Sequence, residues 1–153
     1  MASRSSHRAL SHADSFATGS ADVLQLVGRI LLGSLSLLIG WSKLTNVPGT
    51  IAYFTGLGVP NAEMMPYLVG GFEVLLGVLL ILGLATRYAA IAAFLFVLVA
   101  TAIAHKYWAY PAAQQGAQYF NFTKNLAIMG GALYVLVAGA GSYSLDATLA
   151  KKR

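Results

Sequence analysis

The sequence predicts an all-α fold: a polytopic membrane four-helix bundle, with a short interfacial helix between spans one and two. Three observations lead there. Hydrophobic residues make up 58% of the chain and charged residues only 10%, where soluble domains carry roughly 25% charged residues. A soluble fold of 153 residues could not hide so much apolar surface. The apolar residues gather into four runs, each near the ~20 residues that cross ~30 Å of hydrocarbon. Glycines recur inside the runs, at Gly33, Gly40, Gly70, Gly71, Gly77, Gly130 and Gly131, as expected where helix backbones must approach closely in lipid.

Residues 1–21 are rich in Ser, Ala and His and lack apolar periodicity, so a flexible cytoplasmic tail is expected. Span one follows at about Val23–Trp41, with Arg29 inside it. It is read as a true span rather than a secretory signal. The run starts late, is long for a signal core, and leads into Trp41-Ser42-Lys43 instead of a small-x-small cleavage site. Asn46 to Pro60 reads as the interfacial helix. Asn46 can cap it, Pro48 suits a first turn, and Ile51, Phe54 and Leu57 recur at helical spacing.

Span two is about Tyr67–Ala85, and its only charge is Glu73. The link Thr86-Arg87 is so short that spans two and three form an antiparallel hairpin. Span three runs about Tyr88–His105 and span four about Lys124–Gly141. Both are short, and Tyr107, Trp108, Tyr119 and Phe120 should extend them into the interface. The loop from Tyr107 to Thr123 shows no strand pattern and should lie on the outer interface. Residues 22–147 thus form one membrane domain, followed by a basic tail at 148–153.

An even number of spans puts both termini on one side. That side holds Arg4, Arg8, Arg87, Lys151, Lys152 and Arg153, against Lys43, Lys106 and Lys124 on the other. The bias places both termini in the cytoplasm. The tail charges suit topology and anionic headgroups rather than nucleic acid. The chain has no cysteine, which removes disulfides, thiolate metal sites, iron–sulfur ligation and CxxC redox chemistry. A single histidine at a membrane edge excludes a bis-histidine haem within one chain, and no zinc-ligand spacing occurs.

Depth decides which polar residues can meet. At 1.5 Å per residue, Arg29 lies roughly 9 Å above the inner edge and Glu73 roughly 9 Å below the outer one. A direct pair would have to bridge on the order of 12 Å. Side chains also lean toward their own helix N-terminus, which moves these two further apart. The better partners for Glu73 are at the outer end: Lys43 closing span one, His105 and Lys106 closing span three, Lys124 and Asn125 opening span four. They predict an outer pocket of Lys43, Glu73, His105, Lys124 and Asn125, walled by Trp41, Tyr53 and Phe122. A purely structural buried network is the competing reading. For Arg29 three accounts stand open: snorkelling to inner headgroups, bonding to Asp22 or Asp146, or filling a polar contact between helices. A structural or partner-binding role is favoured. A proton-handling pair of Glu73 and His105 would suit a quinone headgroup, whose reduction needs protons in apolar surroundings.

The residues also resemble a known pattern. Gly28-Arg29-Ile30-Leu31-Leu32-Gly33 with Gly40-Trp41-Ser42-Lys43-Leu44 looks like the first helix of DoxX-family membrane proteins. Gly56-Leu57-Gly58-Val59-Pro60 looks like the family's next loop. Glu73 with Leu82-Gly83-Leu84-Ala85-Thr86-Arg87 resembles its second helix and turn. His105, Phe122-Thr123-Lys124-Asn125-Leu126 and Ser144-Leu145-Asp146 follow in order. The resemblance covers residues 23–147 and implies a four-helix protein of the bacterial inner membrane. It also implies association with quinone-linked oxidoreductase systems and a protein partner or homo-oligomer. The family positions it matches are Arg29, Lys43, Glu73, His105, Lys124 and Asn125. Three functions follow in order of expectation: a quinone-linked oxidoreductase subunit, a non-catalytic scaffold or assembly subunit, and a small transporter or proton path.

Overall fold

A computed structural model describes residues 3–152, and the side chains of residues 11–152. The side chains of Arg4 and Arg8, and Arg153, which carry part of the sidedness argument, lie outside the described residues. Seven α-helices occur in the order α1 (Ser3–Gly19), α2 (Ala21–Thr45), α3 (Val47–Gly56), α4 (Met65–Leu82), α5 (Thr86–Ala104), α6 (Ala112–Ala138) and α7 (Leu145–Ala150). Four of them, α2, α4, α5 and α6, are long and apolar enough to cross a membrane. They alternate in direction. One end of the bundle therefore holds α1 and α7, and the other holds α3 and the α5–α6 link.

The N-terminal segment, expected to lack periodic structure, is helical as α1. Alanines favour the helix, and Ser15 and Thr18 return their hydroxyls to the carbonyls of Ser11 and Asp14 at 2.8 Å. The interfacial helix is present as α3, with the Asn46 side chain accepting from Gly49 N at 3.3 Å and Pro48 in its first turn. The loop after span three is shorter than expected. A helical turn at Tyr107–Ala109 leads to Pro111, and α6 starts at Ala112, so the stretch up to Thr123 is mostly helix. Pro111 ends the loop in an extended conformation, and a run of Ala and Gln then winds without needing an apolar face.

The spans pack as two tight pairs, α2 with α4 and α5 with α6. Glycine makes the first pair. A Cβ placed on Gly40 would lie 2.6 Å from the Gly70 carbonyl oxygen, and one on Gly77 would lie 2.7 Å from that of Gly33. The two contacts are seven residues apart on both helices, which is two turns, so a single seam runs down the pair. Gly71, Gly130 and Gly131 do not share this role, since a Cβ there would meet nothing within 4 Å. The second pair and the junction between pairs use alanine: Ala89, Ala90 and Ala93 of α5 pack on Leu76, Leu80 and Val135.

Helix α4 ends three residues earlier than span two was expected to, and the link to α5 is Gly83–Leu84–Ala85 rather than Thr86-Arg87. Gly83 (φ +66°) and Ala85 (φ +49°) are both left-handed. Glycine suits the first position twice over, because a Cβ there would also overlap Arg29 Nη1. Ala85 occupies the cap position of α5 and has no side-chain acceptor. Asp146 supplies one from the far end of the chain, its carboxylate accepting from Ala85 N at 2.8 Å and Thr86 N at 2.9 Å.

This cap gives a pH dependence. Burial, the largest single influence on Asp146, pushes its carboxyl up. The Thr86 and Ala85 amides and the Arg29 charge together outweigh it and hold the carboxyl below the usual value of 3.8. A carboxylate depressed in the folded state adds stability above its unfolded pKa and loses it as pH falls through the folded one. The thermal midpoint in detergent should therefore show an Asp146-dependent fall only below about pH 4. Asp146→Ala should cost about 1 kcal/mol at neutral pH and remove that part of the fall. An unchanged acid limb in the variant would show that Asp146 is not the group responsible.

Candidate functional site

Lys43 lies in the last turn of α2, and Glu73 lies on the inner face of α4, two turns from its start. They meet across the glycine seam. Lys43 Nζ donates to Glu73 Oε2 at 2.6 Å, with the two side chains 17% and 9% exposed. The close approach of Gly40 and Gly70 is what brings these residues within reach, because a Cβ on Gly40 would lie 2.8 Å from Glu73 Cβ. The pair leaves Arg29 elsewhere, as the depth argument expects.

Beside this ion pair lies a cavity of about 420 Å³, between the two helix pairs at the α3 end. All five predicted polar residues line it: Lys43, Glu73, His105, Lys124 and Asn125. Apolar side chains from every span complete it, reaching down to Leu35, Leu76 and Ala93. The eleven positions from Met65 to Leu76 correspond to a depth of about 16 Å. A volume of this size lies in the range of small-molecule sites, whose walls are mainly apolar with a few placed polar groups.

The polar residues are individually anchored. His105 caps the end of α5, and its Nδ1 faces Gln118 Oε1 at 2.8 Å. That contact leaves Nε2 as the ring nitrogen not held by Gln118. Asn125 is buried and donates from Nδ2 to Thr101 Oγ1 at 2.8 Å. Lys124 Nζ donates to Asn121 Oδ1 at 3.0 Å. Tyr53, on α3, is a wall as expected. Burial, and then Tyr110, push its phenol up, so it keeps its O–H donor.

Two predicted walls are elsewhere. Trp41 is 60% exposed on the bundle surface. Phe122 packs its ring on Tyr107 and Trp108, with centroids 5.6 and 6.1 Å away, and belongs to an aromatic cluster on the α5–α6 link. Depth along a helix follows from numbering, but the face a residue presents depends on which neighbour the helix meets. The proton-handling pair is brought to one cavity but not joined: among the described residues Glu73 bonds to Lys43 and His105 to Gln118. Sequence reading missed Gln118, Asn121 and Thr101. Their only signal was spacing, since Asn121 lies one helical turn before Lys124 and Asn125.

Arg29 sits at the opposite end and is fully buried. Its Nη1 donates to the carbonyls of Leu80 and Ile81 at 3.2 and 3.3 Å, and its Nη2 to Tyr143 O at 2.5 Å. The first two are among the last carbonyls of α4; Gly83 N also donates to Leu80 O at 3.3 Å, and the guanidinium adds a further donor at this helix end. Of the three accounts, the polar contact between helices is the one observed. It joins α2 and α4 to the segment after α6.

Residues 24–106 match the family model described as DoxX. The chain is 32% identical over 124 residues to Inner membrane protein YphA of Escherichia coli (strain K12), covering 81% of this chain and 89% of that protein. It is 36% identical over 136 residues to Inner membrane protein YqjF of the same organism, covering 86% and 95%. A shorter match, 35% identical over 68 residues, covers 44% of this chain and 49% of a Bacillus subtilis (strain 168) protein provisionally named oxidoreductase CatD. No solved structure matches.

Proposed function

The chain is an integral inner-membrane protein of the DoxX family, and on that premise we propose that it is the membrane subunit of a quinone-linked oxidoreductase system. The observation that carries this reading is an apolar cavity whose polar end holds an acid, an imidazole and two ammonium groups within the bundle. A quinone ring is flat, apolar in its faces and an acceptor at its two oxygens. The donors of Lys43, Lys124, Asn125 and Tyr53 fit such a ring. The partial match to a protein provisionally named as an oxidoreductase adds support from outside the site.

When bound, a quinone supplies a couple that takes up electrons and protons together. The residues of this chain bind and protonate. Lys43 holds Glu73 Oε2 in place, so the carboxyl has one orientation against the cavity. His105, fixed through Nδ1, presents Nε2 as a second proton-exchanging atom. General acid–base groups of this kind contribute about 10²–10⁴-fold. A chain with no cysteine holds no thiol to pass electrons, so a partner protein supplies the reductant. Both termini lie in the cytoplasm on this reading, by the Lys/Arg bias, and the cavity lies toward the other end of the bundle.

Quinone binding by the purified protein in nanodiscs, and quinone reduction when an electron donor is added, wild type against Glu73→Gln, test the proposal. Binding should weaken about tenfold or more. Equal binding and equal activity in both proteins overturn it.

One observation favours a second reading, a non-catalytic scaffold: Glu73 is already neutralised by direct contact with Lys43. On that reading the charges hold α2 to α4, and the chain docks a partner. Affinity purification in mild detergent should then recover a complex, and a chain that always migrates alone contradicts it.

A further inference from the structure

Helices α4 and α5 are held together at one end and part toward the other. The link at Gly83 joins them where Leu76 and Leu80 pack on Ala89, Ala90 and Ala93. One turn higher Phe72 meets Phe96, ring centroids 5.4 Å apart. Beyond that level Met65 and Val69 of α4 and Val99 and Ile103 of α5 line the cavity. Yet Val99 is 56% exposed and Ile103 46%. A side chain that both lines a cavity and stands on the surface of the bundle marks an opening between the two.

The register of α5 says which way the opening faces. Thr101 bonds Asn125 and so points to α6. At 100° per residue, Val99 and Ile103 lie about 160° around the helix from Thr101, on the edge shared with Phe96, which meets α4. Val99 is five residues inside the end of α5 at Ala104, a depth of about 8 Å. The opening is therefore at acyl-chain level, with the Phe72–Phe96 pair as its sill. The water-facing end carries Tyr53, Phe54, Leu57 and Val59 from α3 and its loop instead.

We propose that the gap between α4 and α5 is a lateral portal for a bilayer-dissolved amphiphile with a compact polar head and a hydrocarbon tail. The head lies against Lys43 and Glu73, and the tail passes between Val69, Val99 and Ile103 into the bilayer. This rests on the ligand-binding reading of the cavity given above and names the class of ligand and its route. A wholly water-soluble substrate would have no use for an opening buried in acyl chains.

The test compares two radiolabelled probes on the full chain in nanodiscs: a dimethoxy-benzoquinone carrying a decyl tail and the same ring carrying a methyl group. A tailed probe concentrates in the bilayer by itself, so the readout is the ratio of variant to wild type for each probe. Val99→Trp and Ile103→Trp each fill the gap from lipid-exposed positions. Each should weaken the decyl probe about tenfold and leave the methyl probe within about twofold. Leu95→Trp, 51% exposed on the same helix but outside the cavity, should change neither. If both tryptophan variants leave the decyl probe unchanged, or weaken both probes alike, the portal is overturned. Loss of both probes in Glu73→Gln would still uphold the ring-binding reading. If wild type binds neither probe, that reading fails, and the portal fails with it.

Discussion

Changing Lys43 to methionine alone should destabilise the protein by about 3–5 kcal/mol, and adding Glu73→Leu should recover most of that loss. The single change leaves a carboxylate that is 9% exposed with no ammonium opposite. The double change replaces an ion pair with two apolar side chains of similar volume, and buried pairs replaced in this way are often no less stable. Reversible unfolding in mixed micelles measures both. The comparison separates the two readings of the site. If the double variant recovers its stability but binds no quinone, the charges are kept for the ligand. If it stays as unstable as Lys43→Met, the pair is holding α2 to α4, and the scaffold reading gains what the binding reading loses.

Gly40→Leu should be the most damaging single change in the spans. A first carbon at this position would already lie 2.6 Å from the Gly70 carbonyl oxygen and 2.7 Å from Val74 N. Both neighbours are helix backbone, which cannot rotate aside as a side chain can. Overpacking costs about 1–3 kcal/mol when a core can yield, and Gly40→Ala should fall in that range. Leucine forces the seam open and withdraws Lys43 from Glu73 as well. Gly131→Leu is the control, with open space around its Cβ, and should be nearly neutral. Thermal midpoint and size-exclusion profile in detergent report both. Equal behaviour of Gly40→Leu and Gly131→Leu would contradict the seam.

The parts of this molecule that were legible in sequence are those governed by distance along the chain. Rise per residue separated Glu73 from Arg29 and set it beside Lys43, because axial position on a helix is fixed by numbering alone. Asn46 and Pro48 located α3 because capping is local chemistry. What sequence does not carry is azimuth. Trp41 and Phe122 were placed at the correct depth and on the wrong side. Gly71, Gly130 and Gly131 look like Gly33 and Gly77 in sequence, and only the partner helix distinguishes a seam from a lipid-facing surface. The start of α6 was missed for another reason. Ala112 to Thr123 winds as helix without an apolar stripe, and periodicity is silent where no stripe exists. Gln118, which fixes the His105 ring, was lost inside that misread stretch.

Arg29 imposes an order on biosynthesis. It belongs to the first span made, yet Tyr143, whose carbonyl it holds, lies 114 positions further along the chain. At about 5–20 residues per second, the guanidinium spends on the order of ten seconds in the membrane before that carbonyl exists. Leu80 and Ile81 reach it sooner, once α4 is complete. The first span is thus a client of the segment that follows the last one, and the nascent chain carries a cation one of whose partners is made only late.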